Sequence, residues 1–142
     1  MPKKSRRGFY RWVEMMSQTG RLILTIEEDA AVLTSLNFML EVEGFRTCSF
    51  NKVIRLLEAG RLPEIACLVV DYSMPTMNGI ELLKHLRGRQ ILAPAVLMIE
   101  HIEHSDKTFR ERALAAGFAA VVDKTILHNN LVDEIRRVLA IA

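Results

Sequence analysis

The sequence predicts an α/β fold in which a parallel sheet lies between two layers of helices, and three observations predict it. Five short apolar, β-branched runs recur along the chain, each followed by a segment with apolar residues at three- and four-residue spacing. Except for the second, at residues 45–50, the runs are apolar without alternation, as strands covered on both faces must be. The chain has 142 residues, half of them hydrophobic and a quarter charged, which suffices for one domain with a sizeable core. Such a composition excludes a disordered segment and a Pro/Gly-rich linker.

Leu22–Ile26 is the first strand, and Val32, Leu33, Leu36, Met39 and Leu40 mark the helix after it, with Gly44 at its C′ position. Phe45–Phe50 reads as the second strand. Asn51 is placed to cap a short helix carrying Val53, Ile54, Leu56 and Leu57, closed by Gly60. Ile65–Val70 is the third strand, and after a turn-rich segment Ile80, Leu82, Leu83 and Leu86 mark the third helix. Ala95–Ile99 follows Pro94 as the fourth strand. Ser105 is placed to cap a helix running to Ala116 and ended by Gly117. Ala119–Val122 is the fifth strand, and Leu131, Ile135, Val138 and Leu139 line the last helix.

Residues 1–20 stand apart from the domain at 21–142 as a basic, amphipathic extension. Up to residue 21, Lys3, Lys4, Arg6, Arg7, Arg11 and Arg21 face Glu14 alone, a net of +5. Residues 22–142 hold 13 basic and 16 acidic side chains and net −3. Phe9, Trp12, Val13 and Met16 form an apolar stripe at helical spacing, suited to packing on the chain's own domain or on a second copy in a homodimer. An acidic partner, a membrane surface or nucleic acid are the other partners a basic stripe serves. No run approaches the roughly 18 apolar residues of a membrane span, and no apolar run follows the basic start as in a secretory signal. Cys48 and Cys67 lie in no CxxC pair, which argues against a zinc site and for a reducing, cytoplasmic setting.

In parallel α/β sheets ligand chemistry gathers at the carboxyl ends of the strands. Glu27, Glu28 and Asp29 follow the first strand, Asp71 ends the third, Ile99 and Glu100 end the fourth, and Asp123 and Lys124 end the fifth. Carboxylates collected at one edge repel unless a cation sits among them, either Lys124 or a hard divalent ion such as Mg2+. The plainer reading of Glu27, Glu28 and Asp29 is that they cap the first helix and favour its dipole. Asp71 resists that reading because it ends a buried strand. Glu100, His101, Glu103 and His104 suit a solvated loop better than a metal cluster, and His85 and His128 suit helix surfaces.

The segment Asp71-Tyr72-Ser73-Met74-Pro75-Thr76-Met77-Asn78-Gly79 resembles the phosphoacceptor segment of response-regulator receiver domains, and the resemblance runs over residues 21–140. It is nearest to receivers of LuxR-type regulators, which share the Ser35–Leu40 pattern. The resemblance implies a flavodoxin-like, doubly wound (βα)5 sandwich with strand order 2-1-3-4-5. It implies a phosphoacceptor signalling protein of two-component phosphorelays rather than an enzyme in the ordinary sense. Asp71 matches the phosphoacceptor and Lys124 the lysine that grips a phosphoryl oxygen. Glu27, Glu28, Asp71 and the Ser73 backbone carbonyl match the Mg2+ ligands, and Pro75 and Gly79 belong to the active-site loop. A sensor histidine kinase or phosphotransfer protein is the implied donor. A flavin-binding flavodoxin shares the architecture, but Glu27-Glu28-Asp29 would repel the phosphate its first loop must cradle.

Four positions depart from the family. The acidic pair usually contains aspartate and here is Glu27-Glu28, which implies weak Mg2+ binding or none unless the register shifts to Glu28-Asp29. Ile99 replaces the Thr or Ser switch residue, Val121 replaces the switch aromatic, and Thr125 replaces the proline after the lysine. A cis Lys124–Thr125 bond would cost about 2.5–4 kcal/mol, so trans is expected. Two functions follow from the balance. One is a stand-alone receiver phosphorylated on Asp71 with a degenerate switch; the other is a pseudo-receiver that binds a protein partner without phosphate. No DNA-reading segment follows the last helix in this sequence.

Overall fold

The computed structural model describes residues 20–100, 106–124 and 127–141. The five strands are β1 (Leu22–Ile26), β2 (Arg46–Phe50), β3 (Cys67–Asp71), β4 (Ala95–Ile99) and β5 (Ala120–Asp123). The helices between and after them are α1 (Ala30–Val42), α2 (Val53–Glu58), α3 (Gly79–Gly88), α4 (Lys107–Ala115) and α5 (Leu127–Ile141). All pairings are parallel, in the order β2-β1-β3-β4-β5.

The period of two along each strand divides the core. Ile23, Cys67, Val69, Val96 and Met98 face one side, where α1 and α5 cover them with Leu33, Leu36, Leu40, Leu131 and Ile135. Leu24, Ile26, Leu68, Val70, Leu97 and Ile99 face the other, against Val53, Leu56, Leu82, Leu83, Leu86 and Phe109 of α2, α3 and α4. Gly44 and Gly117 take φ of +94° and +114°, the left-handed conformation that ends a helix at little steric cost.

Two caps differ from expectation. The residue before α2 is Lys52, not Asn51, and it makes no side-chain cap bond; the helix closes at Ala59, whose N–H bonds the Leu56 carbonyl, not at Gly60. Before α4 the cap is Asp106, whose carboxylate accepts from the Phe109 N–H at 2.6 Å. Ser105, His101, Glu103 and His104 lie outside the described residues, as do Thr125 and residues 1–19; the His128 side chain is likewise outside. β3 starts two residues later than the apolar run because its ladder with β1 opens at Ile23 opposite Cys67. β2 and β5 likewise each begin one residue late, at Arg46 and Ala120. Among the described residues no helix is long and apolar enough to cross a membrane.

Candidate functional site

β1 and β3 are neighbours, so the residues that leave their carboxyl ends emerge side by side. Glu27 is held there by its own backbone, whose N–H bonds the Phe50 carbonyl of β2 at 3.2 Å. Its Oε1 accepts from the Asp29 N–H at 3.0 Å. Glu27 and Asp71 are 2% and 1% exposed, an arrangement two carboxylates tolerate only with a counter-charge between them. Lys124, leaving β5, supplies it: its Nζ lies 2.7 Å from Glu27 Oε2 and 2.9 Å from Asp71 Oδ1. Those two oxygens meet the ammonium as ion pairs, and Asp71 Oδ2 is buried with no hydrogen-bond partner.

The electrostatics follow from that geometry. Burial pushes the Asp71 carboxyl up to about 7, with Glu27 adding to the rise and Lys124 opposing it. Burial works against the Lys124 charge too, but its contacts with Glu27 and Asp71 outweigh this and raise it above its ordinary value. Lys124 is therefore charged at neutral pH, while Asp71 is poised between its two forms.

The remaining expected residues take different places. Asp29 caps α1 through the Ala31 and Val32 N–H groups at 3.0 and 3.2 Å. The capping reading thus holds for Asp29, which also borders the cleft beside Glu28. Glu28 lines the same open cleft as Glu27, Asp71, Ser73, Pro75 and Lys124, but its Oε1 meets the Thr76 N–H at 3.4 Å. Gly79 opens α3 against β3. A Cβ there would stand 2.6 Å from the Asp71 carbonyl oxygen and 2.8 Å from Leu97 Cδ1, so only glycine fits without movement. Ile99 is buried in the apolar cluster and Val121 packs against it. Tyr72 bonds the Met98 carbonyl through its N–H at 2.9 Å, and its ring meets Phe109 of α4 edge-on, centroids 4.8 Å apart. Lys52, at the end of β2, also lines the cleft. The strand-end rule would have singled it out had it been applied to β2.

The donors suit a hard cation. They are oxygens, and one of them, Asp71 Oδ2, is buried and unpartnered. Among the described residues, however, no group of three acidic, His or Cys side chains gathers closely enough to hold a metal. Glu27 and Asp71 are the side chains that would hold such an ion, with Ser73 lining the same cleft. Mg2+ commonly binds through one or two carboxylates and keeps several waters.

A family model described as response regulator receiver domain matches residues 23–136. Among curated relatives, the transcriptional regulatory protein FixJ of Bradyrhizobium diazoefficiens is 38% identical over 79 residues, 56% of this chain and 38% of that protein. The cell cycle response regulator CtrA of Brucella abortus is 25% identical over 117 residues, 82% of this chain and 49% of that one. The chain thus spans less than half the length of these relatives. Among solved structures, full-length FixJ from B. japonicum superposes with a TM-score of 0.75 at 30% identity, over 86% of this chain and 59% of that one. The receiver domain of Francisella response regulator 1452 gives 0.76 at 19% identity, over 85% and 98%, a likeness of fold.

Proposed function

The chain belongs to the response regulator receiver family of two-component signalling, and from that premise we propose that Asp71 is its phosphoacceptor. The observation that carries the proposal is the buried Asp71 carboxylate at the end of β3, one oxygen unpartnered and the other 2.9 Å from the Lys124 ammonium. In the proposed reaction an ionised Asp71 oxygen attacks the phosphorus of a phosphohistidine on a sensor kinase or phosphotransfer protein, or of a small acyl phosphate. The new P–O bond forms as the bond from phosphorus to the donor breaks, and the donor leaves with that electron pair. A carboxylate is a weak nucleophile, so positioning and neutralisation of charge carry the rate. Lys124 provides a compact point charge beside the attacking oxygen. Glu27 and Asp71 are the side chains that would hold Mg2+, which when bound supplies further positive charge for the phosphoryl oxygens.

A second reading, a pseudo-receiver working without phosphate, is favoured by one feature. Ile99 is 1% exposed in the apolar cluster, so the fourth strand ends with no hydroxyl to bond a phosphoryl group. Incubation with acetyl phosphate and Mg2+, followed by intact mass, separates the two. A single phosphoryl adduct lost in Asp71→Asn supports the phosphoacceptor. No adduct in the parent chain leaves the pseudo-receiver.

A further inference from the structure

Charge is ordered along the carboxyl edge of the sheet. From β2 across to β5, the cleft residues at or just beyond the strand ends are Lys52, Glu27, Asp71, Glu100 and Lys124, so a cation stands on either side of the acids. Lys124 turns inward and pairs with Glu27 and Asp71. Lys52 enters from the opposite side. β1 and β2 stay in register up to Ile26 opposite Phe50, and the Glu27 N–H bonds the Phe50 carbonyl. The chain carrying Lys52 therefore leaves the sheet beside the chain carrying Glu28.

The helix that Lys52 precedes gives no reason for a lysine there. Its side chain makes no cap bond, and the first turn of α2 holds no acidic residue to pair with it. A positive charge at a helix N-terminus opposes the helix dipole, and Arg55, three residues on, brings the same charge. The neighbouring carboxylates are engaged elsewhere: Glu27 with Lys124 and the Asp29 N–H, Glu28 toward the Thr76 N–H, Asp29 with the Ala31 and Val32 N–H groups. Lys52 is exposed and makes no ion pair among the described residues. It thus lends an unshared ammonium to a cleft of about 560 Å³ that is lined by five acidic side chains and two lysines.

An anion entering that cleft meets net repulsion, with Lys124 already committed to two acids. We propose that Lys52 is a second cationic contact for the phosphodonor, its ammonium meeting the non-bridging oxygens of the phosphoryl group as the donor enters. The role rests on the reading of Asp71 as phosphoacceptor. Lys52 gains and loses no proton in it, and the bonds made and broken are those of the transfer to Asp71.

The test is the rate of adduct formation from sub-saturating acetyl phosphate, followed by intact mass, with Mg2+ high enough that more leaves the rate unchanged. Lys52→Ser removes the charge and installs a good N-cap, so its melting temperature should hold or rise. Its adduct should form about fivefold more slowly, the effect of an exposed charge pair at the upper end of its usual range. Lys52→Arg should stay within about twofold of the parent chain. Added salt should slow the parent chain and Lys52→Arg more than Lys52→Ser, because an exposed ammonium is screened. Equal rates in Lys52→Ser and the parent chain overturn the contact and leave Asp71 as the acceptor. So does a loss in Lys52→Arg as large as in Lys52→Ser, equal salt dependence in all three, or a melting temperature lowered by Lys52→Ser, which would assign the lysine to the helix. An absence of adduct in the parent chain overturns the phosphoacceptor reading, and this role of Lys52 with it.

Discussion

Asp71→Asn should make the metal-free protein more stable at neutral pH, because the native state holds a carboxylate that burial disfavours. The carboxyl sits at about 7 in the folded chain against an ordinary 3.8. At about 1.36 kcal/mol per pH unit, that difference corresponds to about 4 kcal/mol lost on ionising Asp71 in place. The sign is set by proton binding. Between the two values the folded state keeps the proton and the unfolded chain does not, so stability falls as pH rises from about 4 through about 7 and is level above. Asparagine mimics the protonated form, so the variant's advantage should be near zero at about pH 4 and grow to about 4 kcal/mol at slightly alkaline pH. Urea denaturation of both proteins in EDTA across this range measures it, and the difference cancels titrations the two share. A variant no more stable than the parent at neutral pH, or an advantage that does not vary with pH, refutes the reasoning.

The other predictions concern the same edge of the sheet. Mg2+ should raise the melting temperature of the parent chain and leave Asp71→Asn unmoved; at ten times its dissociation constant the gain is about 1.4 kcal/mol. Lys124→Met leaves Glu27 and Asp71 buried without their cation, and should cost about 3–5 kcal/mol at neutral pH by thermal melting. That loss should shrink toward about pH 4, where a proton on Asp71 replaces the ammonium. Gly79→Ala forces a Cβ toward the Asp71 carbonyl and should cost about 1–3 kcal/mol in urea, with no cost expected if the loop moves freely.

β1 and β4 were legible to the residue because strands covered on both faces leave uninterrupted apolar runs, as Leu22–Ile26 and Ala95–Ile99 do. Gly44 and Gly117 were legible as helix stops because the left-handed backbone favours glycine. The caps were not. Asn51 and Lys52 are neighbours, and which one precedes the helix depends on how β2 delivers the chain. The site shows the same limit. Glu27 and Glu28 are chemically identical, and only the direction of the backbone leaving β1 sends one into the buried ion pair and the other toward Thr76. That Lys124 would lie between both acids, rather than beside one, depends on where β5 ends relative to β1 and β3. No local pattern carries that distance.

Tyr72 links the chemistry to the helix layer by covalent succession. It follows Asp71 directly, so the two share a peptide plane. The ring's edge rests on Phe109, which is 5% exposed in the first turns of α4 and has little room to yield. The Tyr72 carbonyl meanwhile takes the Gly79 N–H at 3.0 Å, where α3 begins. One residue thus touches the acidic edge and two helices at once, through contacts that involve neither position 99 nor position 121.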